Sequence, residues 1–436
     1  MKLLNGISTV FLIWFINSYG YAQKDSSLIS FHSQSTTISQ YHPKFKSPYE
    51  GVNSFVSDEK IASSLTNTLF FAIRPWKSGI IIINPEVAGG VGLSSTTGMA
   101  GFPNGEIFRV GNPKPTIYLA RLLFEERMPL HHTESVYVED NPNLVRGFYP
   151  TDFISFYGGR FCLADKFDGN PYNHDPRSQF MNWSFMSAGA WDYAADTRGY
   201  TWGIGSEWKN KNWRAALAFT LEPAVANSLN FDTHINNAFA TQFEITHFHL
   251  LKGNPGQLQL TAFLNKAHMG NYDLAVKNNV TDPDITTTAN YKNHKWGWVI
   301  NGSQQFNKYW GGFARISWND GKNETWAYTE IDRSVNLGVQ YSKNNPDHSN
   351  VLGMGVVING ISKPHRNYLA SGGYGFIIGD GQLNYGSEVI TEIYYRFSFF
   401  GDHLQVSPDY QFAINPAYNK DRGPIHIFAL RTHIEL

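Results

Sequence analysis

The sequence predicts an all-β protein: a transmembrane antiparallel β-barrel of about sixteen strands, with long outer loops partly folded into the lumen. Three observations predict it. Apolar and polar residues alternate with period two in segment after segment, the connections between segments alternate short and long, and tryptophans cluster at segment ends.

The chain opens with the build of an export signal over Met1 to Ala22: Lys2 is the positive end, Val10 to Ile16 the apolar run, and Gly20-Tyr21-Ala22 the small-x-small cleavage site. That run is too short to span a bilayer as a helix, and no later stretch reaches the roughly eighteen apolar residues a helical span needs. Residues 23–63 form an N-terminal segment whose first strand, near 29–40, is polar and weak; the barrel proper runs over 64–436. Its strands are expected at 64–74, 80–90, 114–124, 152–163, 199–209, 212–222, 239–251, 256–266, 293–305, 309–319, 332–342, 350–359, 388–399, 402–413 and 424–436. In the segment from Trp213, for example, Trp213, Ala215, Leu217, Phe219 and Leu221 share one face and Arg214, Thr220 and Glu222 the other. With the N-terminal strand the total is even, as bacterial barrels require.

Short links at 210–211, 252–255, 306–308 and 401–402 interleave with long ones at 164–198, 223–238, 267–292, 320–331 and 360–387. Short periplasmic turns and long outer loops are the arrangement of outer-membrane barrels. Residues 125–151 break the alternation, being long where a short turn is due.

Composition narrows the function. A net charge of −1 with scattered basic residues leaves no electrostatic footprint for nucleic acid. The single cysteine, Cys162, permits no internal disulfide and reads as filler. A soluble sandwich or propeller would also alternate, and the chain has a mean hydropathy of −0.33. The export signal and the tryptophans at segment ends (Trp202, Trp208, Trp296, Trp298, Trp310, Trp318) favour the membrane barrel, whose polar lumen accounts for the average.

Five long stretches resemble the OprB-type carbohydrate-selective porins of Gram-negative outer membranes: "SPYEGVNSF" (47–55) with "TNTLFFAIRPW" (66–76), "INPEVAGGVGLSSTTGMAGFPNGEIFRVG" (83–111) with "YLARLLF" (118–124), "GRFCLADKFDGNPYNHDPRSQFMNW" (159–183), "GAWDYAADTRGYTWG" (189–203) and "PDYQFAINPAYNKDRGP" (408–424). The resemblance implies a sixteen-stranded pore of the outer membrane, commonly a homotrimer, that passes sugars by diffusion. The chain departs from that pattern in a short N-terminal extension and in ending on Leu436 where an aromatic residue is usual.

A passive pore needs no catalytic residue, cofactor or metal. It needs a constriction whose polar groups replace part of a solute's hydration. By alternation Leu69, Phe71 and Ile73 face out and turn Arg74 inward, and Ile81, Ile83 and Val87 turn Asn84 and Glu86 inward. Arg121 and Glu125 share an inward phase, with Tyr118, Leu122 and Phe124 opposite. The loop at 91–113 is expected to fold into the lumen and add Arg109 and Glu106; the resemblance, too, implies arginines and acidic groups from this region at the eyelet. Arg214, Arg315, Arg396 and Glu392 read as wall residues that pair across strands, and the acidic loop at 320–330 as a solvated outer loop. His131-His132 and His247-x-His249 lack the partners of a metal array. Asp192, Asp196 and Arg198 sit in a connection too interrupted by glycine and aromatics for a long helix, so they are expected to brace the mouth rather than to do acid–base chemistry.

The expected function is therefore passive diffusion of carbohydrates and other small hydrophilic solutes through an Arg/Glu constriction, in contact with outer-membrane lipid. The alternative is an outer-membrane barrel enzyme acting on lipids, which would need a nucleophile within reach of a histidine; no such pair is identifiable by spacing. A plugged, energy-coupled receptor would need a larger barrel and an N-terminal plug for which the chain has no room.

Overall fold

The computed structural model describes residues 27–107, 113–345 and 348–436. The expected export signal and Arg109 lie outside the described residues.

The chain forms β1 (Ile29–Tyr41), β2 (Ala62–Ile73), β3 (Gly79–Gly90), β4 (Thr116–Pro129), β5 (Ser135–Val138), β6 (Gly147–Pro150), β7 (Phe153–Phe161), β8 (Thr201–Lys209), β9 (Trp213–Thr220), β10 (Phe239–Leu251), β11 (Asn254–Lys266), β12 (His294–Gln305), β13 (Trp310–Asn319), β14 (Arg333–Asn345), β15 (His348–Gly360), β16 (Glu388–Phe399), β17 (Leu404–Ile414) and β18 (Ile425–Glu435). All but β5 and β6 join in one closed antiparallel barrel in which each strand pairs with its neighbours in sequence and β1 closes on β18. Every strand expected from the alternation has a counterpart here, including the weak first one. Closure keeps β1 in place despite its polarity: it pairs along its length with β2 and β18, and Ser33 and Leu436 exchange backbone hydrogen bonds of 2.9 and 2.8 Å. A barrel has no edge, so no backbone row is left unpaired in lipid.

The two faces of the wall divide as a membrane barrel requires. Leu217, Leu258, Leu260, Ile316, Leu337 and Leu430 are exposed on the outside, while Glu244, Thr261, Asn301, Arg315, Asn336, Glu392 and Arg431 are buried on the inside. Trp202 and Trp296 mark the long-loop rim, and Trp208, Trp213 and Trp310 the short-turn rim, all exposed. Rings at both levels suit the two interfaces of a bilayer.

The lumen is largely filled. Residues 91–107 and connections 162–200 and 320–332 enter from the long-loop end and pack together on a core of rings: Phe102 on Trp183 (5.2 Å between centroids), Trp183 on Tyr328 (4.7 Å) and Trp191 on Tyr193 (4.8 Å). The one-turn helix α1 (Trp183–Met186), capped by the Asn182 side chain on the Ser184 amide, lies in this core. Helices α2 (Tyr272–Asn278) and α3 (Lys363–Ala370) pack over it, with the Tyr272 ring stacked on buried His365 at 4.3 Å.

Two expectations are corrected. The 320–330 segment is not a solvated outer loop: Thr325, Trp326, Ala327, Thr329 and Glu330 are buried, and the amides of Trp326 and Ala327 each donate to Asp192 at 2.7 Å. Its acidic residues serve inward bonds that composition alone does not reveal. Tyr118 does not share the outward face of Leu122 and Phe124. The register shifts opposite Asn84–Pro85, leaving Ala120 as an extra residue in β4, so the phase flips and Tyr118 and Arg121 both point inward. A bulge inserts one residue and reverses the face of everything beyond it. Pro85 inside β3 was the sequence signal, because a proline within a strand marks an edge or a bulge.

The long link that broke the alternation also finds its reason. Residues 130–152 hold the β5–β6 hairpin and a turn at Asn141–Leu144 at the short-turn end, and this insertion reaches back into the barrel: the Asn84 side-chain amide donates to Asn143 Oδ1 at 2.7 Å.

Candidate functional site

Between β3, β4 and the 162–200 connection the infolded loops leave a chamber of about 310 Å³. Glu86 and Tyr118 reach it from the paired strands β3 and β4, and Arg121 from just beyond the bulge. Glu106 arrives on the first infolded loop, which is held in the lumen by Glu388 accepting the amides of Ala100 and Gly101 at 3.0 and 2.7 Å. Asp165, Arg177, Arg198 and Tyr200 come from the 162–200 connection and its junction with β8.

The charges form two linked sets. Arg177 donates to Glu106 at 2.7 Å and to Glu86 at 3.1 Å, while Glu86 also accepts from Thr68 at 2.5 Å and from the Tyr118 hydroxyl. Arg121 grips Asp165 with two parallel bonds of 2.7 and 2.6 Å, the fork geometry that fixes orientation as well as charge. Arg198 lies 4.2 Å over the Tyr118 ring and Arg121 5.3 Å from the Tyr200 ring. Guanidinium planes on aromatic faces make a surface that is both polar and flat.

Several loop groups are shifted in acidity, among them Glu106, Asp165 and Cys162. Burial pushes Glu106 up to about 7 despite Arg177, with Glu86 and Asp175 adding to the rise. Burial also acts on Asp165, but the charge and bonds of Arg121 outweigh it and hold that carboxyl below its usual range. Cys162, at the chamber wall, is pushed up to about 12 by burial and stays a thiol.

Of the candidates read from sequence, Glu86, Glu106 and Arg121 line this chamber. Arg74, Asn84 and Glu125 do not. Arg74 lies at the short-turn end, donating to the carbonyls of Lys77 (2.5 Å) and Phe148 (2.8 Å) and lying 4.2 Å over the Tyr149 ring, so it anchors the insertion. Glu125 pairs with Arg127 at 2.7 Å and Lys166 at 2.8 Å, and shares with Arg74 a cavity of only about 40 Å³. Asn84 sits between Asn143 and Arg121. Sequence reasoning missed Arg177, Asp165 and Tyr200, which lie in or next to a connection with no periodicity to read. The stretch 189–203 carries no helix. Asp192 ties the 320–332 loop, and Asp196 takes Arg160 at 2.6 Å, so both carboxylates hold the infolded loops in place.

A family model for the carbohydrate-selective porins of the OprB family matches residues 72–436. The chain belongs to this family. It is a protein of the outer membrane, and its closed sixteen-stranded barrel is the fold of solved porins. Porin AaxA of Chlamydia pneumoniae is 22% identical over 292 residues, an alignment spanning 66% of this chain and 57% of that relative's length. The high-pH structure of OprB from Pseudomonas putida superposes with a TM-score of 0.68 at 14% identity over 94% of both chains. The outer membrane channel DcaP of Acinetobacter baumannii gives 0.52 at 9% identity, over 94% of this chain and 97% of that one.

Proposed function

We propose that this OprB-family porin passes carbohydrates and other small hydrophilic solutes by diffusion, and that its eyelet is the chamber lined by Glu86, Glu106, Tyr118, Arg121, Arg177 and Tyr200. The observation that carries the reading is the pairing of mutually neutralised guanidinium and carboxylate groups with aromatic faces in one water-accessible space. A neutral polyol finds donors, acceptors and ring faces there, while an ion of either sign meets charges already compensated. No step needs energy coupling, because polar groups that stand in for part of the hydration shell suffice for passage.

Planar-bilayer recording tests this. The purified porin should give steady single-channel currents that fall on addition of glucose or a maltooligosaccharide, and Arg177→Ala should raise the conductance and weaken the sugar block. A protein that carries no current overturns the pore reading. Unchanged conductance and block in Arg177→Ala would remove the chamber from that role.

A further inference from the structure

Below the eyelet the lumen holds a second chamber, of about 400 Å³, whose lining includes Lys166, Glu207, Arg214, Glu244, Phe248 and Gln257. It lies at the short-turn end beneath β8–β11, whereas the eyelet lies beside β3 and β4, so the two are offset across the barrel. Three residues line both: Ala164, Asp165 and His174. On the eyelet's own side the insertion lies below it: Asn143 lines the eyelet, is bonded to Asn84, and also lines a cavity of about 40 Å³.

Resting on the porin reading, we infer that solute crosses in two stations, eyelet then lower chamber, and that the threshold between them is His174 facing the Ala164–Asp165 strip. The two sides of this threshold differ in freedom. Asp165 is clamped by the double bond set from Arg121, and Ala164 offers only a methyl group. His174 is held through its backbone, whose amide donates to Gln179 at 2.7 Å, while Nδ1 of its ring has no hydrogen-bond partner among the described residues. The imidazole is thus the side chain that must give way, and its size sets what passes. The lower chamber offers a second holding place of the same chemistry. Arg214 there bridges Glu207 at 2.9 Å and Glu244 at 2.8 Å, again a compensated set next to an aromatic ring, Phe248. Conduction through sites in series keeps each one weak enough to leave.

The test compares His174→Trp with Leu144→Trp in planar bilayers, with His174→Ala as the opening variant; Leu144 lines the cavity of about 40 Å³ and neither chamber. His174→Trp should lower single-channel conductance severalfold, His174→Ala should raise it and admit longer oligosaccharides, and Leu144→Trp should leave it near the parent value. Loss of current in Leu144→Trp, or no change in His174→Trp, overturns the threshold. Either result is distinct from failure of the porin reading, in which the parent itself carries no current. If the bulky variant does not fold, His174→Cys in a Cys162→Ala background gives the same answer: a thiol reagent added to open channels should cut the current in that protein and not in Cys162→Ala alone. Full labelling without a change in current overturns the inference.

Discussion

Arginine is used in opposite ways on the two sides of this lumen. On the wall formed by β13–β18, Arg315 and Arg431 are at most 1% exposed and end on buried groups of one connection: Arg315 on the Phe185 carbonyl and the Asp168 carboxylate, Arg431 on the carbonyls of Pro176 and Gln179. On the β3–β4 side, Arg121 and Arg177 keep 16% and 15% of their side chains exposed and end on carboxylates that line open space. One connection, 162–200, supplies Arg177 itself and the partners of Arg121, Arg315 and Arg431. It is bound tightly to one wall, and the chamber lies between it and the other. Inward direction alone does not tell these fates apart, because it specifies the lumen and not what fills it.

The largest effects should come from the bound wall. Arg315→Ala strands the buried Asp168 carboxylate, and breaking a buried pair from one side costs about 3–5 kcal/mol. The urea unfolding midpoint of the refolded barrel should drop accordingly, and the single-channel trace should become noisy as the connection loosens. A midpoint and trace like the parent's would show that the wall does not anchor the loop. Next comes Glu392→Gln. Glu392 accepts the amides of Met181 and Asn182 at 2.5 and 3.0 Å, and the amide side chain keeps one acceptor of the two. One buried donor left unpaired costs about 1–3 kcal/mol, again read as a midpoint shift.

How much of this was legible before the structure follows the same division. The wall was legible because alternation is a local property: each strand declares its own two faces, and closure supplies the partner that the polar β1 lacked. Glu86 was placed on that ground, and it lines the chamber. Tyr118 was misplaced by one bulged residue, although Pro85 announced it. Arg74 and Glu125 point inward and still miss the chamber, because the 130–152 insertion occupies the space before them. Arg177 and Asp165 had no signal, since a long connection has no period and its path is set by anchors as distant in sequence as Glu392 and Arg431. The acidic 320–330 loop misled for the same reason: Asp192 and the ring cluster, not its own composition, draw it inward.

Smaller effects should come from the open side, and they should appear in current more than in stability. Glu106, with an acidity near 7 against an ordinary 4.5, changes charge in the neutral range while facing Arg177, Glu86 and Asp175. The folded protein keeps a proton between about 4.5 and 7 that the unfolded chain has released, so this group's contribution makes stability fall as pH rises through that window. Conductance and sugar block should change between about pH 6 and 8 in the parent, and Glu106→Gln should flatten that change. A profile that is equally steep in the variant would assign the titration to another group.

The smallest change in stability is expected for Arg121→Lys. The pair with Asp165 is partly exposed, and such pairs contribute about 0.2–1 kcal/mol, so the unfolding midpoint should barely move. The lysine keeps the charge but loses the two-pronged hold and the flat face near Tyr200. If the open side serves solute and not the loop, the sugar block should weaken while ion conductance stays close to the parent. The reverse pattern, a lower midpoint with unchanged block, would make Arg121 an anchor like Arg315 and erase the difference between the two walls.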